Sequence, residues 1–279
     1  MEDRFQAGTP FSTRVEGFGL DLLTSPVPDE SVIDAQVDLR DAPPVEPTAS
    51  TEWYRSMTGR VAVVTGAHEP VGAAVALGLV DAGAHVCIIG RDGDALRALA
   101  ASAGRDASVV SLECDLGSAA DIASAADFVS RVDRPLDVLV HCADVRVSNG
   151  VSFGAVEDLD EQYLVNLRGP YLLTQALVGP LSDAAGHVVF VGPSGEPGDR
   201  AEDTQYSMTR FGVRALAAGV RAELSQAGLR VTTVHVAPAP VGVEAALDPD
   251  DVADCVIGAL EIPARLEITD LHVRPRATR

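Results

Sequence analysis

The sequence contains no lysine; all 21 of its basic residues are arginine. Against 41 acidic residues they leave a formal charge of -20. Such a surface repels polyanions, so neither nucleic acid nor an anionic membrane is expected as a partner. It favours solubility instead. The missing lysine, with the richness in Ala, Val and Asp, points to a compositional bias of the source. It matters wherever lysine chemistry would be needed. Cysteine is sparse too: Cys87, Cys114, Cys142 and Cys255 show no CxxC spacing. Three lie in apolar segments, so buried thiols in a reducing compartment are expected, with no disulfide and no metal site. No apolar run reaches the length of a membrane span, and the N-terminus lacks the basic-then-apolar order of a signal peptide. A soluble, cytoplasmic protein is therefore expected.

What is present divides in two. Residues 1–56 carry Ser25-Pro26-Val27-Pro28 and Asp41-Ala42-Pro43-Pro44-Val45-Glu46-Pro47, with no sustained helical or strand period. Eleven acids against four arginines give this stretch a charge of -7. It reads as an extended acidic arm. Its apolar clusters, Phe18 to Leu23 and Trp53-Tyr54, either dock on a neighbouring surface or belong to a free tail.

From residue 57 to 279 short β-branched runs alternate with Ala/Leu-rich helical stretches. Strands are expected at Val61–Thr65, His85–Ile89, Ser108–Glu113, Leu136–Val140, His187–Val191, Val231–Val236 and Glu267–Val273. Helices are expected near Val71–Ala82, Asp94–Ala103, Ala119–Val132, Leu159–Leu181, Thr204–Ala227 and Asp250–Leu260. Nearly continuous apolar strands, each followed by a helix, imply a parallel sheet covered on both faces. Right-handed crossovers make it a doubly wound, Rossmann-like α/β domain with the first strand central. Ligands in such folds sit beyond the carboxyl ends of the strands, so the residues that follow each strand carry the functional information.

The first strand runs into Thr65-Gly66-Ala67-His68-Glu69-Pro70-Val71-Gly72, a turn that opens a helix and can bring backbone N–H groups to a pyrophosphate. The second ends in Gly90-Arg91, without the acid that would bind ribose hydroxyls and with a cation suited to a 2′-phosphate. The third ends in Cys114-Asp115-Leu116. Further on, Asn166 lies in Val165-Asn166-Leu167-Arg168-Gly169, and Tyr206 heads Tyr206-Ser207-Met208-Thr209-Arg210. Over residues 59–279 this pattern resembles the short-chain dehydrogenase/reductase family, with its TGxxxGxG, strand-end aspartate, helix asparagine and YxxxK motifs.

The resemblance implies an NADP(H)-linked alcohol/carbonyl oxidoreductase acting on a small molecule. It implies cofactor binding by Thr65, Gly66, Gly72, Arg91, Asp115 and Ala143, with Asp115 against the adenine. Tyr206 would exchange the substrate proton, Arg210 would stand for the lysine that lowers its pKa, and Asn166 would anchor a proton-relay water. Pro249-Asp250-Asp251-Val252-Ala253 and Ile268-Thr269-Asp270-Leu271-His272-Val273-Arg274-Pro275 resemble a subgroup acting on small hydroxy acids and semialdehydes.

The motifs are eroded at five places. Pro70 replaces a glycine of the first turn, and Glu69 adds a negative charge beside it. His141-Cys142-Ala143-Asp144 stands for NNAG, which puts a carboxylate where glycine passes the cofactor. Pro193 falls in register with the catalytic serine, leaving Ser194, one residue on, to assist Tyr206 if the loop shifts. Arg210 replaces lysine, and Pro238-Ala239 replaces proline-glycine. Only ten residues separate Pro238 from Pro249, where the family has a substrate-covering segment. Two alternatives therefore stand beside the oxidoreductase. One is an inactive homologue serving as partner subunit of an active relative. The other is a non-redox acid/base enzyme using Tyr206 and His141 or His235. Because Leu164, Leu167, Tyr171, Leu172, Phe211, Val213, Leu216 and Val220 spread over more than one helical stripe, a homo- or hetero-oligomer through these two helices is expected. The arm residues Phe18, Leu20 and Leu22 offer the alternative cover.

Overall fold

The computed structural model describes residues 56–104, 108–132, 134–193, 203–237 and 247–276. The N-terminal arm up to Arg55, Ser194 and Pro238-Ala239 lie outside the described residues.

Seven strands, β1 (Val61–Thr65), β2 (His85–Gly90), β3 (Val109–Glu113), β4 (Val138–His141), β5 (His187–Pro193), β6 (Arg230–Val236) and β7 (Asp270–Val273), alternate with helices. They form one sheet in the order β3-β2-β1-β4-β5-β6-β7, and every neighbouring pair is parallel. The chain winds outward from β1 through β2 to β3, then returns to lay β4 on the other side of β1. The middle of the sheet is thus β4, not β1 as the sequence pattern suggested, and the order reverses between these two strands. β1 is buried at every position, as its uninterrupted Val-Ala-Val-Val-Thr requires of a strand covered on both faces.

Alternate side chains of the strands feed two cores. One packs under α1 (Pro70–Asp81), α2 (Gly93–Ser102) and α7 (Pro249–Glu261), with Val64, Val75, Leu79, Leu96, Val140 and Val256 at its centre. The other lies under α3 (Ala119–Ser130), α5 (Gly169–Asp183) and α6 (Thr204–Leu224), around Val63, Leu139, Leu173, Leu177 and Phe190. Each fully buried aliphatic chain of this kind contributes about 1.5–3 kcal/mol relative to exposure. The single long helix expected at 159–181 is divided: α4 (Val156–Tyr163) meets α5 through a π-helical turn, Leu164–Arg168, closed by a bond from the Gly169 N–H to the Leu164 carbonyl. Asn166 sits in that turn.

Candidate active site

The carboxyl ends of β1 to β4 open onto a cavity of about 460 Å³, a size typical of small-molecule sites. It lies where the strand order reverses, the position at which open α/β sheets bind ligands. Gly66 turns the chain at φ +69°, and a Cβ there would stand 2.6 Å from the Ala143 backbone. Only glycine lets the two strand ends approach so closely. A Cβ on Gly72 would meet the Gly66 carbonyl oxygen at 2.3 Å, and the buried Thr65 hydroxyl accepts a 3.4 Å bond from the Ala143 N–H. Thr65, Gly66, Gly72 and Ala143 are thereby brought together, and of these Gly66 and Ala143 line the cavity.

Pro70 is the first residue of α1, where its missing N–H costs no intrahelical bond. Glu69 caps that helix with extended backbone and no side-chain bond. His68 occupies ground that sequence reasoning left unassigned: a Cβ on Gly90 would lie 2.4 Å from its Nδ1. The absent side chain at Gly90 makes room for this imidazole. Arg91, exposed, lines the cavity beside it. Asp115 also lines it, with its Oδ1 accepting a 2.8 Å bond from the Gly117 N–H.

The far wall is the loop after β4, stitched to α6. The side-chain amide of Asn166 both accepts from the Val145 N–H and donates to the Val145 carbonyl, each at 2.7 Å. Asn166 is the buried residue of the π-helical turn, a feature frequent at functional sites. This clamp holds Asp144 in place. The Tyr206 hydroxyl donates a 2.5 Å hydrogen bond to Asp144 Oδ2. Arg210 lies on the other side of the carboxylate, its Nη1 3.5 Å from Oδ1. Its Nε and Nη2 donate 3.4 Å bonds to the carbonyls of Pro193 and Val191. Space for the guanidinium comes from Gly192, where a Cβ would meet Nη2 at 2.1 Å. Arg146, ion-paired to Asp203 at the start of α6, stacks over the Tyr206 ring with its Cζ 5.2 Å from the centroid.

This geometry reverses the expected electrostatics of Tyr206. A free cation one turn along the helix would lower the phenol's pKa, but Arg210 is committed to Asp144 and to two carbonyls. Burial pushes the Tyr206 pKa up, the Asp144 charge pushes the same way, and Arg210 offsets only part of this. Asp144 is raised too, by burial, against the downward pull of Arg210, the Tyr206 hydrogen bond and Arg146. The carboxylate, read from the sequence only as an obstacle to a cofactor, is the partner of the phenol.

Neither His141 nor His235 is among the residues that line this cavity. His141 is fully buried on the opposite side of β4, bonded through Nε2 to the Thr174 hydroxyl at 2.9 Å and stacked on Phe190. Burial lowers its pKa to about 3, so it stays neutral at working pH. His235 pairs with Asp270 at 2.9 Å and stacks on His272 between β6 and β7. The four cysteines are free thiols, and burial pushes Cys142 up to about 12. Among the described residues no cluster of three or more potential metal ligands occurs, and no helix is long and apolar enough to cross a membrane.

A family model described as short chain dehydrogenase matches residues 60–250. The chain belongs to the short-chain dehydrogenase/reductase family. A metagenomic short-chain oxidoreductase solved in complex with NADP superposes with a TM-score of 0.73, is 32% identical, and is matched over 80% of this chain and 100% of that one. An uncharacterised oxidoreductase of Staphylococcus aureus is 28% identical over 228 residues, 78% of this chain and 98% of the relative. An alcohol dehydrogenase of Thermococcus sibiricus shares the fold at a TM-score of 0.72 and 21% identity, over 79% of this chain and 99% of that one. The seven-stranded sheet is thus the family's nucleotide-binding fold, and the relatives place the chain among oxidoreductases. In this member the tyrosine of YxxxK is bonded to an aspartate, and the cation four residues on faces inward.

Proposed function

We propose that this chain is an NADP(H)-linked oxidoreductase of small alcohols or carbonyl compounds. The observation that carries the reading is the cavity at the β1/β4 reversal, with Arg91 and Asp144 among its lining residues and Tyr206 bonded to Asp144 from behind. The residues fit a nicotinamide dinucleotide. Gly66 and the N-terminus of α1 would hold the pyrophosphate, Arg91 a 2′-phosphate, and Asp115 the adenine. Glu69 opposes the phosphates; its carboxylate is half exposed, so solvent weakens the repulsion. The cofactor would supply the hydride donor or acceptor, and the metagenomic relative is solved with NADP.

Calorimetric titration with NADPH and NADH tests this reading directly. The Arg91→Ala variant is expected to lose about 10-fold or more in NADPH affinity, the worth of one charge-assisted contact, with NADH affinity little changed. Equal losses for both would remove the 2′-phosphate assignment, and no binding of either by the unaltered protein would remove the oxidoreductase reading. That last result would leave the inactive partner-subunit and the non-redox acid/base alternatives.

Self-association is part of the same proposal. Tyr171 of α5 and Met208 and Phe211 of α6 are exposed, while Val213 and Val220 of α6 face the core. A second apolar face on these helices suits a helix-paired dimer. Sedimentation is expected to give at least a dimer, and Phe211→Asp to shift it toward monomer; a monomeric unaltered chain would refute it.

A further inference from the structure

We propose that Asp144 is the proton acceptor behind Tyr206, so that the acid–base unit of this site is a carboxylate–phenol pair and not a phenol tuned by a cation. The inference deepens the oxidoreductase reading and rests on it for its substrate. Three observations carry it. The first is the hydrogen bond itself, 2.5 Å from the Tyr206 hydroxyl to Asp144 Oδ2.

The second is that the other neighbours of the phenol cannot take a proton. A guanidinium does not deprotonate in a protein. Arg210 and Arg146 are therefore fixed charges, the first holding Asp144 and the second lying over the ring. Asn166, which a relay water would need, spends its amide on the Val145 backbone.

The third is access. Tyr206 is 3% exposed, whereas the Asp144 side chain is 23% exposed and lines the cavity. Among the described residues, Asp144 is the titratable group that both touches the phenol oxygen and reaches the cavity. The site is also built to retain it. Gly192 leaves room for the guanidinium that balances its charge, and the Asn166 clamp fixes the adjacent peptide.

In the oxidation direction the substrate O–H proton passes to the Tyr206 oxygen as the phenol's own proton passes to Asp144 Oδ2. The substrate O–H and the phenol O–H bonds break, a new phenol O–H and a carboxyl O–H form, and the tyrosine ends neutral. The hydride with its electron pair leaves the carbinol carbon for the oxidised nicotinamide dinucleotide of the proposed function, and the C=O bond forms. Asp144 then releases the proton to the cavity. Reduction runs the same steps backward from the protonated carboxyl. Neither direction requires a free tyrosinate, which burial and the adjacent carboxylate disfavour here. Asp144 acts through Tyr206 and is a positioning and proton-storing residue. The charges facing the pair are Arg210 of α6, Asp203 at its N-cap, Arg146 of the β4 loop, and around the cavity Glu69, Arg91, Asp115, Glu157 and Glu161.

The test uses the cofactor-free full chain, so that its outcome is independent of dinucleotide binding. Tyrosinate absorbance is followed against pH in the unaltered protein, in Asp144→Asn and in Tyr206→Phe. Removing the carboxylate is expected to bring one tyrosine step down by about 1–3 pH units, and that step is to be absent when Asp144→Asn is combined with Tyr206→Phe. Identical titrations in the unaltered protein and Asp144→Asn would overturn the proposal. Should Asp144→Asn not fold, carboxyl carbon NMR of labelled aspartate in the unaltered protein and Tyr206→Phe decides. One carboxyl pKa is expected to rise when the phenol donor is lost, and an unchanged set would overturn the pairing. With cofactor and an alcohol that is turned over, Asp144→Asn is expected to lose about 10²-fold in turnover together with the rise of rate with pH. Asp144→Glu is expected to restore the pH profile in part. A turnover and pH profile unaltered in Asp144→Asn would overturn the relay.

Discussion

Tyr206→Phe is expected to lower turnover by about 10²–10⁴-fold, the range of positioned acid–base groups, while the chain stays folded and its NADPH affinity stays within a few-fold. The substitution removes one oxygen and keeps the ring, so the stack under Arg146 survives. It also removes the only hydrogen bond that Asp144 Oδ2 receives in the described structure, which costs about 1–3 kcal/mol. Steady-state kinetics and equilibrium unfolding of the same preparation measure both. Unchanged turnover in a folded variant would exclude Tyr206 from the chemistry.

The second large effect concerns stability. Arg210→Met leaves Asp144 without its balancing charge in a largely buried setting, and breaking such a pair costs about 3–5 kcal/mol at neutral pH. The sign of the pH dependence follows from linkage. Burial already holds the folded pKa of Asp144 above the usual carboxylate value, and losing Arg210, which lowers it, raises it further. Between the unfolded and folded pKa values the native state then binds more protons than the unfolded one. Its stability falls as pH rises through that window. The variant's deficit is therefore largest at neutral pH, shrinks as pH falls, and loses its ionic part only below the unfolded carboxyl pKa of about 3.9, where the carboxyl is protonated in both states. Urea unfolding at neutral and at acid pH checks this. Gly192→Ala is expected to act in the same direction, because its Cβ would displace Nη2, from which it would stand 2.1 Å. A deficit in Arg210→Met that does not change with pH would show that the ion pair is not its source.

Much of the fold was legible because its signals are local. A β-branched run such as Val61–Thr65 is a strand wherever it is buried on both faces. The Ala/Leu stretches between strands can only be crossover helices, so the parallel sheet and the ends of its strands followed without long-range information. The glycine turn after β1 and the Tyr206–Arg210 spacing on one helical face were visible for the same reason. Gly66 is a case where local chemistry sufficed, since its positive φ and its approach to Ala143 both demand the residue the motif displays.

The site's electrostatics were not legible, because they depend on groups far apart in sequence. Asp144 and Tyr206 are 62 residues apart. Read singly, the first is an anion in a cofactor's path and the second a phenol beside a cation. The β4 loop, fastened by Asn166, turns the carboxylate toward the phenol, and the guanidinium then binds the carboxylate instead of acidifying the ring. His141 shows the same limit, since its position after β4 reads as a strand-end base, whereas the pleat sends it into the core against Phe190. Residue types, periods and spacings thus determined by themselves the sheet, its crossovers and the family. Which charges meet, and whether a group faces the cavity or the core, was decided by the tertiary structure, because Coulomb energy and desolvation depend on distance and burial that no local pattern contains.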